Sequence, residues 1–556
     1  MHSWPFVKDW VRKNLKSKKK FNNSFPKFLV TQPPVRQTTS RREKASTTVL
    51  FAIKKTTRGY LLRAATGAFL ATTFVAAYQK YEGRAIFLST TRFFRSIWAC
   101  TKISADYKIS TLFLSGNELD KQISLIHARS AETLVGLFQR QGGIYVKCGQ
   151  HMSSLTHLLP PEYCRAMSRL HSNASTRSYD VIEEVLEKEL GVRPSVYFDY
   201  IDPTPVAAAS IAQVHYAVVD KKPCAVKVQF PDVGELCNSD IKTIDFITRV
   251  ISFIFPQFKL QWLVREFENN LPLELDFLYE AENANTMREL FKNDQYFHIP
   301  EIYSATRRTL IMEWIEGKHI CDMAGLKEMN ANPLAICAQL NRIFTEQIFK
   351  HRFVHCDPHP GNILVRKTER NPHKIEICLL DNGLYRRYSE DFCLDYAKLW
   401  MAILRQDEDA MAESARRMGV TDYRLFASII TARSWGSIST ALYSDMDVSE
   451  VRFIKSQVID RAIDITFILG NVPSSLLLLL KTNDLLRVIN RQLGNCPVSA
   501  LLATTQACQS LIRNKSDKKS GIWVFIETHW ERWALRIKFW IFSWILFLRP
   551  IFVLQK

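Results

Sequence analysis

Two acidic side chains and one carboxamide lie at the borders of two predicted strands and could together bind a metal ion. Asp357 and Asn362 belong to a tight loop, "HCDPHPGN", that leads into an apolar strand. Asp381 follows a second strand, "IEICLL", and begins the turn "DNG". Carboxylate and amide oxygens in this order suit Mg²⁺, with phosphate oxygens filling its remaining positions. The set therefore indicates phosphoryl-transfer chemistry more strongly than a chance group of turn-forming residues.

Histidines recur every four residues in the same stretch, at positions 351, 355 and 359. On a continuous helix this spacing would predict metal ligands on one face. Pro358 and Pro360 exclude that reading, because proline breaks a helix and pushes the preceding residue towards extended geometry. What remains is a loop that presents Asp357 and Asn362.

The chemistry-bearing loops require a strand framework, and the pattern predicts one. "VAAASIAQVHYAVVD" and "PCAVKVQF" read as two strands joined by a polar turn, and Lys227 in the second strand alternates with valines. "RTLIMEWIEG" and "KIEICLLDNG" predict two further strands. Helical periodicity dominates before about residue 200, returns over 261–291, and continues beyond about residue 390.

One predicted helix, "GGIYVKCGQHMSSL" over 142–155, carries a lysine and a glutamine in an otherwise apolar pattern. Lys147 and Gln150 are three residues apart, so a helix places them on one face. Taken alone, the pair is typical of a snorkelling lysine beside a surface glutamine. Upstream of about residue 200, "VIEEVLEKELG" predicts a cleaner helix that ends at Gly191.

Composition describes a core-forming chain with a basic N-terminus. The 556 residues are 47% hydrophobic, enough for about two to four domains. Much of the formal charge of +19 lies in residues 1–58, where 15 Lys and Arg face only Asp9 and Glu43. This acid-poor, Ser- and Thr-rich segment is typical of a mitochondrial transit peptide; a disordered basic tail or a nucleic-acid-binding arm is the alternative. The 12 cysteines form no C-x-x-C pair, which argues against a zinc ribbon or disulfide framework.

Two apolar runs bear on membrane contact. "AATGAFLATTFVAAY", 64–78, is shorter than the roughly 20 residues that span a bilayer core, yet flanking tyrosines and basic residues favour a single span. A soluble packed helix is its competitor. "FWIFSWILFL", 539–548, is too short to span and could lie in a membrane interface or dock on the protein body.

Six motifs in order give the sequence a family resemblance. "CAVKVQ" resembles the nucleotide-binding lysine strand of protein kinases, "HCDPHPGN" their catalytic loop, and "DNG" their D-F-G turn. With "KCGQ", "AAAS" and "ELDFLYE", the chain resembles the UbiB family, also called the aarF-domain-containing atypical kinases, and "LKTNDLLR" is most similar to its mitochondrial branch. The resemblance implies an α/β (α+β), two-lobed, protein-kinase-like fold with an N-terminal helical K-x-G-Q extension and a helical C-terminal extension.

The resemblance also implies roles for residues that match the motifs. ATP or ADP would bind at Ala207, Ala208, Ala209, Ser210, Lys227 and Glu280. Glu280 would orient Lys227 through a salt bridge, and the wide sequence separation of the two predicts an insertion between strand and helix. Asp357 would be the catalytic aspartate, with Asn362 and Asp381 as ligands of Mg²⁺. A gate over the cleft, closed to peptides, would comprise Lys147, Gln150, Glu274 and Asp276. Asn382 stands where ordinary kinases have phenylalanine.

Segment boundaries follow from these features. The predicted segments are a basic mitochondrial targeting segment (1–58), a candidate transmembrane helix (59–83), the helical extension with K-x-G-Q (84–195), the kinase-like N-lobe with its insertion (196–317), the C-lobe with catalytic and metal loops (318–440), a helical C-terminal extension (441–530) and an apolar, aromatic tail (531–556).

The expected function is that of a mitochondrial, inner-membrane-associated atypical kinase or ATPase that binds Mg-nucleotide. By resemblance, it would support cristae maintenance and ubiquinone or lipid metabolism, with a lipid or quinone-pathway ligand and inner-membrane protein partners. The alternative is a catalytically weak, nucleotide-sensing pseudokinase scaffold. Nucleic-acid binding ranks last because the basic charge is concentrated in the first 58 residues rather than spread over the predicted folded body. If 64–78 is a stop-transfer span after a matrix presequence, the body lies in the intermembrane space; if it is not, the matrix is expected.

Overall fold

The computed structural model describes most of the chain between the two termini. The described residues are 81–113, 117–154, 159–171, 176–255, 261–368, 371–440, 474–494 and 497–516. The predicted targeting segment (1–58), nearly all of the candidate span (59–83) and the tail (531–556) lie outside them. Among the helices in the described ranges, none combines the length and the apolar character needed to cross a bilayer.

Helices form both extensions and much of the region between them. In the described residues they are α1 (Tyr81–Phe113), α2 (Asn117–Gln141), α3 (Gly143–Ser154), α4 (Pro161–Ser168), α5 (Tyr179–Leu190), α6 (Pro194–Tyr197), α7 (Pro231–Ile254), α8 (Gln261–Glu274), α9 (Phe277–Leu290), α10 (Met323–Glu328), α11 (Pro333–Glu346), α12 (Glu390–Arg405), α13 (Glu408–Arg417), α14 (Tyr423–Thr431), α15 (Trp435–Thr440), α16 (Ser474–Gln492) and α17 (Pro497–Ser516). The 3₁₀ turns are Arg169–His171 and Pro360–Asn362, and Gln347–His351 is a π-helical turn.

The strands lie between α6 and α12. They are β1 (Tyr200–Ile201), β2 (Ala207–Ala208), β3 (Ala212–Val219), β4 (Lys222–Gln229), β5 (Phe297–His298), β6 (Ile302–Ala305), β7 (Thr309–Glu313), β8 (Lys318–His319), β9 (Phe353–His355), β10 (Ile363–Thr368), β11 (Asn371–Leu379) and β12 (Tyr385–Arg387). They include the four strands that the sequence pattern predicts.

The upper sheet holds the lysine strand at its centre. Its order is β1-β3-β4-β7-β6, and β2 pairs with β3 at one end. In β4, Lys227 lies opposite Val214 of β3 and Leu310 of β7. α7 and α8 lie between β4 and α9, where the spacing of Lys227 and Glu280 predicted an insertion. A central strand restrains its backbone on both sides, so the position of the lysine is well defined.

Strand pairing in the C-lobe, the part of the kinase-like region after β7, brings together the loops that contain Asp357 and Asp381. β9 and β12 are antiparallel with His355 opposite Tyr385, so the loops that follow β9 and precede β12 lie at the same end. β10 and β11 pair Ile363 with Leu379, and the Leu380 backbone N–H donates to the carbonyl of Asn362 at 2.9 Å. The residues after β9, before β10 and after β11 therefore converge at one edge.

The helical extensions share cores with the lobes they flank. Phe138 and Tyr145 of the N-terminal extension belong to the same buried cluster as Val226 of the upper sheet. Leu479 of α16 and Cys508 of α17 belong to the cluster beneath α12. Because apolar burial is the main stabilising contribution, neither extension can detach without exposing core surface.

We expect the ion pair between α1 and α7 to stabilise this attachment. Arg92 binds both carboxylate oxygens of Asp240, at 2.8 and 2.6 Å, and both side chains are largely buried. Arg92→Met leaves a buried carboxylate unpaired, which we expect to lower the free energy of unfolding by about 3–5 kcal/mol. Urea unfolding followed by tryptophan fluorescence measures the change.

Arg129 provides the matched control, because it also binds both oxygens of one carboxylate, that of Asp106, but is half exposed. Arg129→Met should cost about 0–1 kcal/mol. Equal losses from the two substitutions would contradict a special role for the buried pair.

Candidate active site

Lys227 on β4 forms a buried ion pair with Glu280 on α9. Its Nζ is 2.7 and 2.8 Å from the two carboxylate oxygens, and it lies 5.1 Å from the ring centre of Phe277. Burial alone would lower the pKa of Lys227, but Asp381 and Glu280 together raise it above the ordinary lysine value. The ammonium is therefore held charged in the cleft, and its Nζ also lies 3.5 Å from Asp381 Oδ1.

Asp381 and Asn362 form the pair that could hold a metal ion. Asn362 Nδ2 donates to Asp381 Oδ2 at 3.3 Å, while the backbone N–H of Gly383 donates to Asp381 Oδ1 at 3.0 Å. Burial would raise the pKa of Asp381, but Lys227 and Lys147 hold it down to about 2. An ionised carboxylate beside a carboxamide, whose oxygen can serve as a further ligand, is a donor set that suits Mg²⁺.

A third carboxylate, Glu274, has one oxygen paired with Lys147. It lines the same cavity, and its Oε1 atom is buried without a hydrogen-bond partner in the described structure. A buried carboxylate oxygen without a donor is costly unless a further group approaches it. The ionised carboxylate of Asp381 and the neighbouring carboxamide of Asn362 are the donors present that fit an Mg²⁺ ion, with phosphate oxygens and water as its further ligands.

Polar contacts behind the pair hold its two loops. His355 Nε2 donates to the backbone carbonyl of Asp381 at 2.9 Å, and the backbone N–H of His355 donates to Gln347 at 2.9 Å. Asn382 is buried, and its side-chain oxygen accepts from the Tyr385 hydroxyl at 2.8 Å. Asn382, which stands where ordinary kinases have phenylalanine, is thus held by a hydrogen bond and does not pack as an apolar side chain.

The alanine-rich loop covers one side of the cavity. Ala207 and Ala208 form β2, which pairs with β3, and the backbone N–H of Ala209 donates to the Ala212 carbonyl at 2.8 Å. Neither these alanines nor Ser210 has a positive φ. The turn therefore does not require glycine, and the Cβ atoms of the alanines restrict the backbone of this short hairpin.

α3 carries two of the four predicted gate residues, Lys147 and Gln150, and lies against the catalytic loop. Lys147 Nζ is 2.8 Å from Glu274 Oε2 and 3.8 Å from Asp357 Oδ2. Burial would lower the pKa of Lys147, but Glu274, Asp357 and Asp381 raise it above the ordinary value. Gln150 Nε2 donates to the Leu170 carbonyl at 3.0 Å, which joins α3 to the next turn of the extension.

Asp276 does not take the place that the sequence suggested. It caps α9, where its carboxylate accepts the backbone N–H of Leu278 at 3.0 Å, and it lies 4.0 Å from Arg307. Two residues after the end of α8 the chain has turned, so Glu274 and Asp276 face different surroundings. The prediction that Lys147 contacts both carboxylates was wrong for Asp276.

Sequence reasoning missed the lysine closest to Asp357. Lys481 of α16 lies 3.0 Å from Asp357 Oδ1. Lys481 and Lys147 together hold the pKa of Asp357 well below its usual range, although burial would raise it. The available signal was a lysine in the apolar run "SSLLLLLKTNDLL", the same anomaly that drew attention to Lys147.

A stacked imidazole pair was missed as well. The rings of His171 and His359 are parallel, with centres 4.5 Å apart, and Ser153 Oγ contacts His171 Nε2 at 2.9 Å. Burial and the neighbouring His359 lower the pKa of His171 to about 4. The three evenly spaced histidines, in contrast, lie in a π-helical turn, a strand and a loop.

One cavity of 1760 Å³ connects these groups. Its lining includes every predicted site residue except Asp276, together with Lys481 and the stacked histidines. A lysine ion-paired on an antiparallel sheet, opposite a carboxylate–carboxamide pair on the facing lobe, defines a protein-kinase-like fold. The predicted fold class is confirmed.

Comparison with known proteins places the chain in a family. The family model described as "ABC1 atypical kinase-like domain" matches residues 169–415. The chain is 40% identical over 434 residues to AarF domain-containing protein kinase 1 of Gallus gallus, covering 77% of this chain and 83% of the relative. It is 38% identical over 441 residues to the Xenopus laevis protein of that name, covering 78% and 85%. The chain therefore belongs to the AarF domain-containing (ABC1) family of atypical kinases, as its motifs predicted.

Among solved structures, the complex of Rv3197 with erythromycin from Mycobacterium tuberculosis is similar to this chain. The TM-score is 0.41 at 20% sequence identity, and the match covers 68% of this chain and 98% of that chain.

We predict that Gly149 sets the distance of α3 from its neighbours. A Cβ atom added there would lie 2.2 Å from Leu170 Cδ1 and 2.9 Å from Phe138 Cδ2. Gly149→Ala should therefore cost about 1–3 kcal/mol of unfolding free energy. Gly136 has no atom within 4 Å of an added Cβ, so Gly136→Ala in α2 should stabilise the protein by about 0.5–1 kcal/mol. Chemical denaturation of both variants measures the free energy of unfolding. A stabilising Gly149→Ala would contradict the prediction, because it would show that a Cβ atom fits between α3 and its neighbours.

Proposed function

We propose that the protein binds Mg-nucleotide and transfers or hydrolyses its terminal phosphoryl group. The observation that carries the proposal is the arrangement of the Lys227–Glu280 ion pair 3.5 Å from Asp381, which in turn contacts Asn362. The charged ammonium would bind phosphate oxygens of ATP or ADP, beneath the hairpin of Ala207–Ser210. Asp381 and Asn362 would hold Mg²⁺, which when bound neutralises charge on the phosphates.

Asp357 would act on the acceptor. In the transfer, a bond forms between the acceptor oxygen and the terminal phosphorus, and the bond from that phosphorus to the bridging oxygen breaks. The electron pair of the broken bond leaves with ADP, and the acceptor proton passes to Asp357. Because its pKa is low, Asp357 would orient the hydroxyl or water more than it would activate it, which suffices for the loose transition state of phosphoryl transfer.

The gate supports a small acceptor. Lys147 and Glu274 form a buried bridge directly beside Asp357, and Gly149 lets α3 pack closely against the Arg169–His171 turn. A peptide would have to displace this bridge and leave a buried charge unpaired, at a cost of several kcal/mol. We therefore propose that the acceptor is water or a small molecule, with a lipid or quinone-pathway compound as the expected class.

A second function is favoured by the same carboxylate. Both oxygens of Asp357 already have ammonium partners, Lys481 and Lys147. If both ammonium groups keep their contacts with Asp357, an acceptor cannot bind to this carboxylate. The cleft would then bind nucleotide without transferring or hydrolysing its phosphoryl group. The protein would then serve as a nucleotide-sensing scaffold for inner-membrane partners.

Substitution of the two aspartates separates these functions. Asp381→Asn should weaken Mg-nucleotide binding by more than about 10-fold, because it removes the charged metal ligand. Asp357→Asn should leave binding within a few-fold and lower turnover by roughly 10²–10⁴-fold if Asp357 handles the acceptor proton. Isothermal titration calorimetry and a phosphate-release assay measure the two effects, with EDTA as the metal-free reference.

Asp391→Asn is the control, since Asp391 is exposed and pairs with Lys515 away from the cavity. Binding lost only in Asp381→Asn, with no turnover by any form, would favour the scaffold. Failure of the unsubstituted chain to bind Mg-nucleotide would exclude both functions.

We further propose a mitochondrial location at the inner membrane, where the protein would support cristae and ubiquinone or lipid homeostasis. Support comes from the basic, acid-poor residues 1–58 and from the apolar run 64–78. The exposed Phe94 and Trp98 of α1, the helix that follows this run, add apolar surface of the kind found at membrane interfaces.

Removal of residues 1–58 should abolish import into isolated mitochondria, because the basic segment is the expected address. The imported full chain should stay in the pellet on alkaline carbonate extraction if it is anchored. Import of the shortened chain at the full rate would contradict the targeting role of the segment, and release into the supernatant would contradict the anchor.

A further inference from the structure

Lys481 reaches the predicted catalytic carboxylate from outside the kinase-like region. Its Nζ lies 3.0 Å from Asp357 Oδ1, whereas Lys147 Nζ lies 3.8 Å from Oδ2. One carboxylate therefore has two ammonium partners, one from the N-terminal and one from the C-terminal extension. The family model ends at residue 415, well before α16.

α16 is held firmly enough to position this lysine. Asn483 Nδ2 donates to the Tyr396 hydroxyl at 2.9 Å, and the Tyr388 hydroxyl donates to the Ser475 carbonyl at 2.8 Å. Leu479, on the same helix, is fully buried. Side chains on packed helices with such supporting contacts position functional groups better than side chains on loops. The position of the Lys481 ammonium thus follows from the docking of α16 on α12.

Lys481 also contacts the gate helix. Its Nζ lies 3.5 Å from His151 Nδ1. Burial, Lys481 and Lys147 hold the pKa of His151 well below its usual value, so the imidazole is neutral and its Nδ1 can accept a hydrogen bond from the ammonium. α3, α16 and the catalytic loop therefore meet at one ammonium group.

We propose that Lys481 is a positioning residue for phosphoryl transfer, which holds the Asp357 carboxylate in the orientation that receives the acceptor proton. The inference rests on the function proposed above. Lys147 cannot replace Lys481 in this role, because its short contact, 2.8 Å, is to Glu274. Lys481 contributes no atom to the reaction. The C-terminal extension thereby orients a group of the reaction centre without taking part in the reaction.

Unfolding of the full-length chain without nucleotide tests the contact itself. Lys481→Met removes the closer partner of Asp357 and should lower Tm. In an Asp357→Asn background the same substitution should lower Tm less, or raise it, because the ammonium there has lost its carboxylate. Additive shifts would mean that Lys481 contributes packing alone and would overturn the inference.

Kinetics of the full-length chain test the positioning role. Lys481→Met should lower kcat by about 100-fold, the cost of a misplaced catalytic group, while the KM for Mg-nucleotide and its affinity by calorimetry change little. Lys481→Arg, which keeps a cation at this place, should restore most of kcat. A residue needed only for folding would lower Tm and affinity together, without rescue by arginine.

Lys515→Met is the matched control, because Lys515 also belongs to the C-terminal extension and pairs with an aspartate, Asp391, at 2.8 Å, but is exposed. If the kcat of Lys481→Met is no lower than that of Lys515→Met, the positioning role of Lys481 is overturned, while the proposed function is unaffected. Absence of turnover by the unsubstituted chain overturns it together with the enzymatic function, while nucleotide binding would then stand as a separate result.

Discussion

The carboxylate of Asp357 has an ammonium group at each of its oxygens, and the arrangement of the cleft depends on this pairing. The Asp357 side chain is only 24% exposed, so loss of either ammonium would leave its charge less well compensated. Lys147 comes from α3 and Lys481 from α16, so both helices must be docked for the loop to keep its charge compensated. The electrostatics of one side chain thus tie both extensions to the kinase-like lobes.

Apolar packing makes the same connection over a larger area. The N-terminal extension shares its core with the upper sheet, and the C-terminal extension shares its core with α12 and the π-helical turn before β9. α3 lies along one side of the resulting cleft, where its Lys147 contacts Glu274 and Asp357. Gly149 permits this placement, because any larger residue would collide with Leu170.

Local patterns predicted most of the framework. Alternation of Lys227 with valines, the turn at Gly191 and the prolines around His359 each depend on neighbours within a few residues, and the structure agrees with all three. Motif order also led to the family, which the relatives confirm. The roles assigned to the site residues stay predictions, although the structure brings all of them except Asp276 to one cavity.

The sequence by itself determined which residue types were available for chemistry, since strand and turn signals are local and the motifs occur in a fixed order. Only the tertiary structure decided which charges meet. Asp276 turned away because α9 begins there and uses its carboxylate as a cap. Lys481, 124 residues after Asp357, came within 3.0 Å of it because α16 packs on α12. Contacts between groups so far apart in the chain follow from packing, which no single segment encodes.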